Sequence, residues 1–206
     1  YLSEKCVGSS ITEINASGRT DAGVHALCQT ASFRTDCIFN CTELLIYMNS
    51  VLPSDIRILS VEPAQKDFHA RLSAKGKSYH YYIDCGQVRN VFRRNYTYRI
   101  ESHFNINAAR KAASYLEGEH DFSAFHTHTK AMDGKSAVRI INSITINEKD
   151  GIVCIVFNGN GFLYNMVRIL SGTIIMAATG SLDPEKIPEI IESKDRSMAG
   201  PTAPSN

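Results

Sequence analysis

The fold class is decided by residues 138–157, which read VRIINSITINEKDGIVCIVF. Apolar side chains alternate with polar ones in the first half, at Val138, Ile140, Ile144 and Ile146. Such a period of two is typical of a half-buried strand. The letters EKDG at 148–151 form a turn signal, and 152–157 returns as an apolar strand. The segment therefore predicts a β-hairpin.

Working outward, the flanking segments mix strand and helix patterns. A first helix is predicted between a Thr42 cap and the helix-breaking Pro53. A second begins near Asn105, and a third runs from Phe162 to Ala178. Further strand candidates are 11–16, 26–33, 56–61 and 77–83. The mixture predicts an α+β fold with antiparallel sheets, divided into an N-terminal subdomain at 1–74 and a C-terminal subdomain at 75–206.

The composition is that of an ordinary globular protein. The chain has 206 residues, of which 43% are hydrophobic and 21% charged. The 22 basic and 21 acidic residues leave a net charge of +1, so a nucleic-acid surface must be a local patch. No apolar run is long enough to cross a membrane. Six scattered cysteines predict reduced thiols and a cytoplasmic protein.

The most informative stretch for chemistry is GRTDAGVHA at residues 18–26. It is a turn bracketed by Gly18 and Gly23 between two predicted strands. Such a turn can hold the Asp21 carboxylate at the mouth of a cleft, with Arg19 beside it to pair with the carboxylate or with a phosphate. Alternatively, Asp21 only bonds local backbone amides, which is the commoner role of Asp in such turns.

This stretch resembles the signature of the tRNA pseudouridine synthase A family, in which the Asp is the nucleophile. Further segments resemble the family in the same order: LPSDI at 52–56, FHAR at 68–71, KSYHY at 77–81, GEHDFSAF at 118–125 and GFLYNMVR at 161–168. The similarity covers nearly the whole chain. The family's opening strand, which precedes Tyr1, is missing, and the family usually continues beyond Asn206. The chain also does not begin with Met, so we expect a fragment.

The resemblance implies a pseudouridine synthase fold, with two α/β subdomains whose antiparallel sheets meet around a central catalytic cleft. It implies isomerisation of uridine at positions 38 to 40 of the tRNA anticodon arm, by a homodimer. The reaction breaks the C1′–N1 bond, turns the base and joins C5 to C1′. Because no redox change or group transfer occurs, no cofactor is expected. The carboxylate can attack C1′ or C6, or assist elimination to a glycal, and the sequence does not choose among these routes.

The resemblance also assigns roles to Tyr79 and Arg168. A ring at Tyr79 could stack on the flipped base, or it could be an ordinary strand residue in the core. Alternation places Tyr79 and Tyr81 on the same face of their strand. Arg168 would pair with Asp21 or a phosphate, or lie on a helix surface. An Arg in so apolar a segment favours the paired role, and Arg19 could contact the RNA backbone.

A basic and aromatic run suits phosphate contacts with stacking. It comprises Arg89, Arg93, Arg94, Tyr96, Tyr98 and Arg99. Arg71, Lys75 and Lys77 extend the positive charge, and we expect them to be concentrated on the cleft face. A solvated loop is the competing interpretation. Arg71, Lys77, Arg93 and Arg94 are the candidate substrate-binding residues.

Two other classes of function compete with the enzyme. The first is a non-catalytic RNA-binding module on a synthase-like fold, against which the presence of Asp21, Tyr79 and Arg168 argues. The second is a metal-dependent hydrolase that uses His and Asp residues, for which His120, His126 and His128 are the candidate metal ligands. Their spacing lacks an accompanying Cys pair and does not match a standard zinc site, so no metal is expected.

Overall fold

The computed structural model describes residues 11–205 and divides them into two compact units. The first unit comprises 11–20 and 25–74, and the second comprises 21–24 and 75–205. The short turn that holds Asp21 therefore groups with the second unit, although its flanking residues belong to the first. Within the described residues, no helix is both long and apolar enough to span a membrane.

The first unit contains an antiparallel strand pair and a helix. Strand β1 (Ile11–Ala16) pairs with β2 (Ala31–Thr35), with a bulge between Thr12 and Asn15. The predicted second strand was placed too early, at 26–33. The Gln29 side chain instead joins the ends of the connecting loop, accepting from the Ser17 hydroxyl and donating to the Gly18 carbonyl.

Helix α1 (Cys41–Val51) confirms the first predicted helix, but its cap is not Thr42. The Asn40 side chain accepts hydrogen bonds from the backbone N–H groups of Thr42 and Glu43. Asn at this position satisfies donors that the first helical turn leaves open. Thr42 therefore lies inside the helix, as its second residue.

The predicted strand at 56–61 is wrong, since the structure has no regular element there. The backbone of Ile58 instead forms two hydrogen bonds with the Asn49 side chain of α1. Its N–H donates to Asn49 Oδ1 at 2.8 Å, and its carbonyl accepts from Asn49 Nδ2 at 2.9 Å. An amide side chain offers the same donor and acceptor as a neighbouring strand, so a ladder is not required to satisfy this backbone.

The second unit is built on a five-stranded sheet in the order β4-β3-β7-β6-β5. The strands are β3 (Lys77–Asp84), β4 (Tyr98–Arg99), β5 (Gly118–Asp121), β6 (Val138–Lys149) and β7 (Ile152–Gly159). All neighbours are antiparallel except the short β4, which pairs with β3 in parallel. The predicted α+β class and the strand at 77–83 are confirmed, with β4 making the sheet mixed.

The hairpin predicted at 138–157 is β6 and β7, and its turn explains the register. Asp150 and Gly151 have φ values of 52° and 74°. Positive φ at both central residues is the turn whose twist matches two antiparallel strands, and Asp-Gly adopts it at little cost. A side chain at 151 would lie 2.7 Å from the Gly86 Cα, so glycine is required there on steric grounds as well.

Helices α2 (Ile106–Leu116), α3 (Met166–Ala178) and α4 (Ile187–Ser193) complete the second unit. Asn105 caps α2, whose apolar face is buried as its spacing predicts, at Ala109, Ala112, Ala113 and Leu116. Helix α3 begins at Met166 rather than Phe162, because Asn165 has left-handed backbone angles that a right-handed helix cannot contain. The core lies between the helices and one face of the sheet, and includes Ile83, Ile155, Phe157, Leu170 and Ile174.

Candidate functional site

Asp21 lies at the start of a tight turn. The Val24 N–H donates to the Asp21 carbonyl at 3.0 Å, which closes the turn through Ala22 and Gly23. Gly23 has a φ of 83°, a conformation that favours glycine at the third position of such a turn. A Cβ at 23 would also lie 2.6 Å from Ser205 Oγ. The turn thus presents a carboxylate that is 29% exposed.

Arg168 is the direct partner of this carboxylate. Its Nη1 lies 3.2 Å from Asp21 Oδ2, and its side chain is 25% exposed. The same Nη1 donates to Asn165 Oδ1 at 3.1 Å, while Nε donates to the Ala203 carbonyl at 2.7 Å. A guanidinium held by these two acceptors in a half-buried site loses little further freedom when it pairs with a carboxylate.

Asn165 is a residue of the site that sequence reasoning missed. It has a φ of 60°, and its Nδ2 donates to Thr127 Oγ1 at 3.0 Å. Thr127, Asn165, Arg168 and Asp21 therefore form one hydrogen-bonded chain. Asn is among the residues that tolerate the left-handed conformation best, and its place just before an apolar helix was the available signal.

Tyr79 lies on β3, and its ring packs edge-to-face on Phe162 with centroids 5.2 Å apart. Burial and the negative charge of Asp21 raise the pKa of the Tyr79 phenol. The hydroxyl therefore stays protonated and remains a hydrogen-bond donor at neutral pH. Asp21 therefore lies within electrostatic range of the Tyr79 phenol, and it is paired with Arg168.

Tyr81 follows two residues later on the same face of β3, and it binds the backbone at Pro204. It is buried, and its hydroxyl donates to the Pro204 carbonyl at 3.0 Å. Burial and then the nearby Tyr98 raise its pKa, while Arg168 opposes the rise. Residues 200–205, called here the C-terminal segment, thus contact both Tyr81 and Arg168, at Pro204 and Ala203 respectively.

The other predicted site residues are distributed over the two units. Arg19 and Arg71 are exposed residues of the first unit, and Lys77 is the half-buried first residue of β3. Arg93 and Arg94 are exposed on a short 3-10 turn, Val91–Arg93, and on the residue after it. Burial raises the pKa of Tyr82, and Arg93 opposes the rise. The Tyr82 side chain alternates to the face of β3 opposite Tyr79, so Arg93 influences a residue of that opposite face.

The histidines show no sign of a metal centre. Among the described residues, no group of three or more His, Cys, Asp or Glu side chains could hold a metal ion. The His120 ring contacts the Glu117 carbonyl at 2.8 Å, and His128 Nε2 lies 2.8 Å from Asp133 Oδ1. His126 is buried.

Comparisons with known proteins agree on one family. The family model described as tRNA pseudouridine synthase matches residues 112–206. A tRNA pseudouridine synthase A from Thermoanaerobacter sp. (strain X514) is 41% identical over 98% of this chain and 81% of the relative. A tRNA pseudouridine synthase A 1 from Bacillus cereus (strain ATCC 10987 / NRS 248) is 40% identical over the same shares. The tRNA pseudouridine synthase A from Acetivibrio thermocellus is 41% identical over 96% of this chain and 80% of the relative.

Proposed function

Because this chain belongs to the tRNA pseudouridine synthase family, we propose that it isomerises uridine to pseudouridine in tRNA with Asp21 as the nucleophile. The observation that carries the proposal is the ion pair between Asp21 and Arg168, 3.2 Å apart in a half-buried site. A carboxylate in the turn where the family has its nucleophile, held by a fixed cation, is suited to attack at a sugar or base carbon.

The reaction requires a target base that has left its stack. The glycosidic C1′–N1 bond breaks, the detached uracil rotates, and its C5 bonds to C1′. Attack at C1′, attack at C6 and elimination to a glycal all need an ionised carboxylate beside the nucleotide. Arg168 orients the Asp21 carboxylate and balances its charge, since a guanidinium fixed at this distance holds the carboxylate by a charge-assisted hydrogen bond.

We assign Tyr79 to the flipped base and Arg19 to the RNA backbone. The half-buried Tyr79 ring is already held against Phe162, so stacking on a base would cost it little further conformational entropy. Arg19 precedes Asp21 by two residues and is exposed, as a residue that contacts a phosphate must be. The candidate phosphate contacts Arg71, Lys77, Arg93 and Arg94 lie on both units of the chain.

The finer features of the activity rest on family resemblance. They are the uridines at positions 38 to 40 of the anticodon arm, a homodimeric enzyme and a cytoplasmic location. The competing function is a non-catalytic RNA-binding module on the same fold. It is disfavoured because Asp21, Arg168 and Tyr79 retain both their identities and their mutual interactions.

The direct test is tritium release from C5-labelled uridine in an anticodon-arm RNA. Pseudouridine formation exchanges the C5 hydrogen with water, so an active enzyme releases tritium without any added cofactor. Released label that matches pseudouridine in digested RNA supports the proposal. RNA binding without tritium release would favour the non-catalytic module instead.

Substitutions at Tyr79 separate stacking from hydrogen bonding. Tyr79→Phe keeps the ring, whereas Tyr79→Leu removes it, and base–aromatic stacking contributes about 1–3 kcal/mol. We therefore expect Tyr79→Phe to retain at least about fivefold more activity than Tyr79→Leu. Single-turnover pseudouridine formation measures both variants. Equal activity of the two would mean that the hydroxyl, rather than the ring, carries the role.

Changing Arg93 and Arg94 together to Ala tests whether RNA contacts the 3-10 turn that carries them. If each side chain binds a phosphate, the slope of log Kd against log salt should fall by about one unit for each phosphate that is no longer bound. The control is Lys111→Ala with Lys186→Ala, which removes two exposed charges elsewhere in the second unit. An unchanged slope in the Arg93 and Arg94 variant would show that this turn does not touch the RNA backbone.

A further inference from the structure

A basic pocket lies beside the hydrogen-bonded chain that ends at Asp21. Its volume is about 620 Å³, and its lining residues are Ser123, His126, Thr127, His128, Lys194 and Arg196. The lining has two permanent cations, two imidazoles and two hydroxyls, and it includes no carboxylate. We propose that this pocket binds a backbone phosphate of the RNA substrate, an inference that rests on the proposed function.

Lys194 is held at the pocket by a carboxylate that lies outside the lining. Its Nζ is 2.8 Å from Asp121 Oδ2, and Asp121 also accepts from the Ser123 N–H and hydroxyl. The hydrogen bonds from Lys194 and then Ser123 lower the pKa of Asp121, although burial opposes the effect. An ammonium has three N–H donors, so an ion pair with Asp121 leaves others for an anion.

Arg196 is fixed more rigidly. Its Nη1 donates to the Gly200 carbonyl at 3.0 Å and to the Ala199 carbonyl at 3.4 Å, and its Nη2 donates to Thr202 Oγ1 at 3.4 Å. A guanidinium carries five N–H donors, so these bonds orient the group and still leave N–H donors for an anion. A fork of N–H donors held in this way matches the oxygens of a phosphate.

His126 supplies an independent observation that points to a ligand. It is 7% exposed, and its Nδ1 has no hydrogen-bond partner among the described residues. Buried polar atoms nearly always have a partner, and an unpaired one costs about 1–3 kcal/mol. Since the ring lines the pocket, an oxygen of an anion bound there can accept a hydrogen bond from an Nδ1–H group.

The pocket is tied to the proposed catalytic pair through Thr127. Thr127 Oγ1 accepts from Asn165 Nδ2 at 3.0 Å, and Asn165 Oδ1 accepts from Arg168 Nη1 at 3.1 Å. The same Nη1 reaches Asp21 at 3.2 Å. A phosphate in the pocket is thus located by the same framework that locates Arg168. The pocket would hold the RNA backbone in register while the target base lies at Asp21.

The test is Lys194→Gly, because Lys194 has a φ of 56°, which glycine adopts without strain. We expect Kd for tRNA to rise about tenfold at physiological salt, as the loss of one charged hydrogen bond predicts. The slope of log Kd against log salt should fall by about 0.9. The control is Lys111→Ala, which removes a cation from the exposed Lys111–Glu185 ion pair of the same unit and should change neither quantity.

His128→Ala provides a second variant, since it removes an exposed pocket side chain that is paired with Asp133. Inorganic phosphate, added at constant ionic strength, then distinguishes the source of the anion. Competition with tRNA for wild type but not for Lys194→Gly supports a site for RNA phosphate. Competition in both proteins, or slopes that remain at the wild-type value in both pocket variants, overturns the proposal.

Failure of this inference is distinguishable from failure of the proposed function. A wild-type protein that releases no tritium, yet loses salt dependence on Lys194→Gly, would refute catalysis and keep the phosphate site. A wild-type protein that releases tritium while both pocket variants keep its salt slope would support catalysis and refute the phosphate site. Circular dichroism of each variant confirms that the comparison is made between folded proteins.

Discussion

Asp21→Asn should abolish pseudouridine formation while leaving the fold and tRNA binding intact. The amide is nearly isosteric with the carboxylate, and Arg168 keeps its bonds to Asn165 and Ala203. An amide is a poor nucleophile, so attack through a carboxylate and carboxylate-assisted elimination are both closed. We expect a loss of roughly 1,000-fold or more, as for other enzymes that lose a nucleophile. Single-turnover formation of pseudouridine at saturating enzyme measures the loss.

Asp150→Asn is the matched control. Asp150 is an exposed Asp in another turn of the second unit, and Asn tolerates its φ of 52° as well as Asp does. The same chemical change there should leave the rate unaltered. Retention of a tenth of the wild-type rate by Asp21→Asn would mean that Asp21 is only a turn residue, and the proposed mechanism would be wrong.

Gly172→Ala should strongly destabilise the second unit. Gly172 lies in α3 where the C-terminal segment crosses it, and a Cβ there would lie 1.9 Å from the Pro201 carbonyl oxygen. The crossing is tight on both sides, since a Cβ at Gly200 would lie 2.6 Å from the Thr173 nitrogen. Because backbone cannot move aside as a flexible side chain can, we expect a cost of about 3 kcal/mol.

That cost corresponds to a fall in Tm of roughly 6–12 °C for a protein of this size, measurable by circular dichroism. Activity should fall further than stability alone explains, because the displaced segment carries the Ala203 carbonyl that binds Arg168. Gly161→Ala is the control, since its Cβ would meet nothing within 4 Å and its φ is not positive. A Tm within about 2 °C of wild type for Gly172→Ala would show that the crossing is looser than the structure indicates.

The sequence by itself determined those elements whose causes are local. The hairpin follows from alternation and an Asp-Gly turn, and α2 follows from an Asn105 cap and one apolar face. These signals act over a few residues, so no distant contact is needed to interpret them. Family resemblance likewise predicted Asp21 as a candidate from the GRTDAGVHA motif, and Tyr79 and Arg168 from the KSYHY and GFLYNMVR segments.

Local signals failed where the side chain of another residue competes for the same backbone groups. Residues 56–61 have the composition of a strand, but the Asn49 side chain satisfies Ile58 and no ladder forms. Thr42 is a good capping residue by type, but Asn40 binds the open N–H groups of α1 two residues earlier. In both cases the hydrogen bond that formed, rather than the propensity, decided the structure.

The tertiary structure alone decided how the site is assembled. Asp21 and Arg168 are 147 residues apart in sequence, and their ion pair depends on where the turn and α3 come to rest. Asn165 entered the site because its left-handed backbone lets one amide bind both Arg168 and Thr127. The C-terminal segment contacts Arg168 because Gly172 and Gly200 let its backbone pass close to the backbone of α3. Contacts of this kind depend on packing between segments remote in sequence, which no local pattern records.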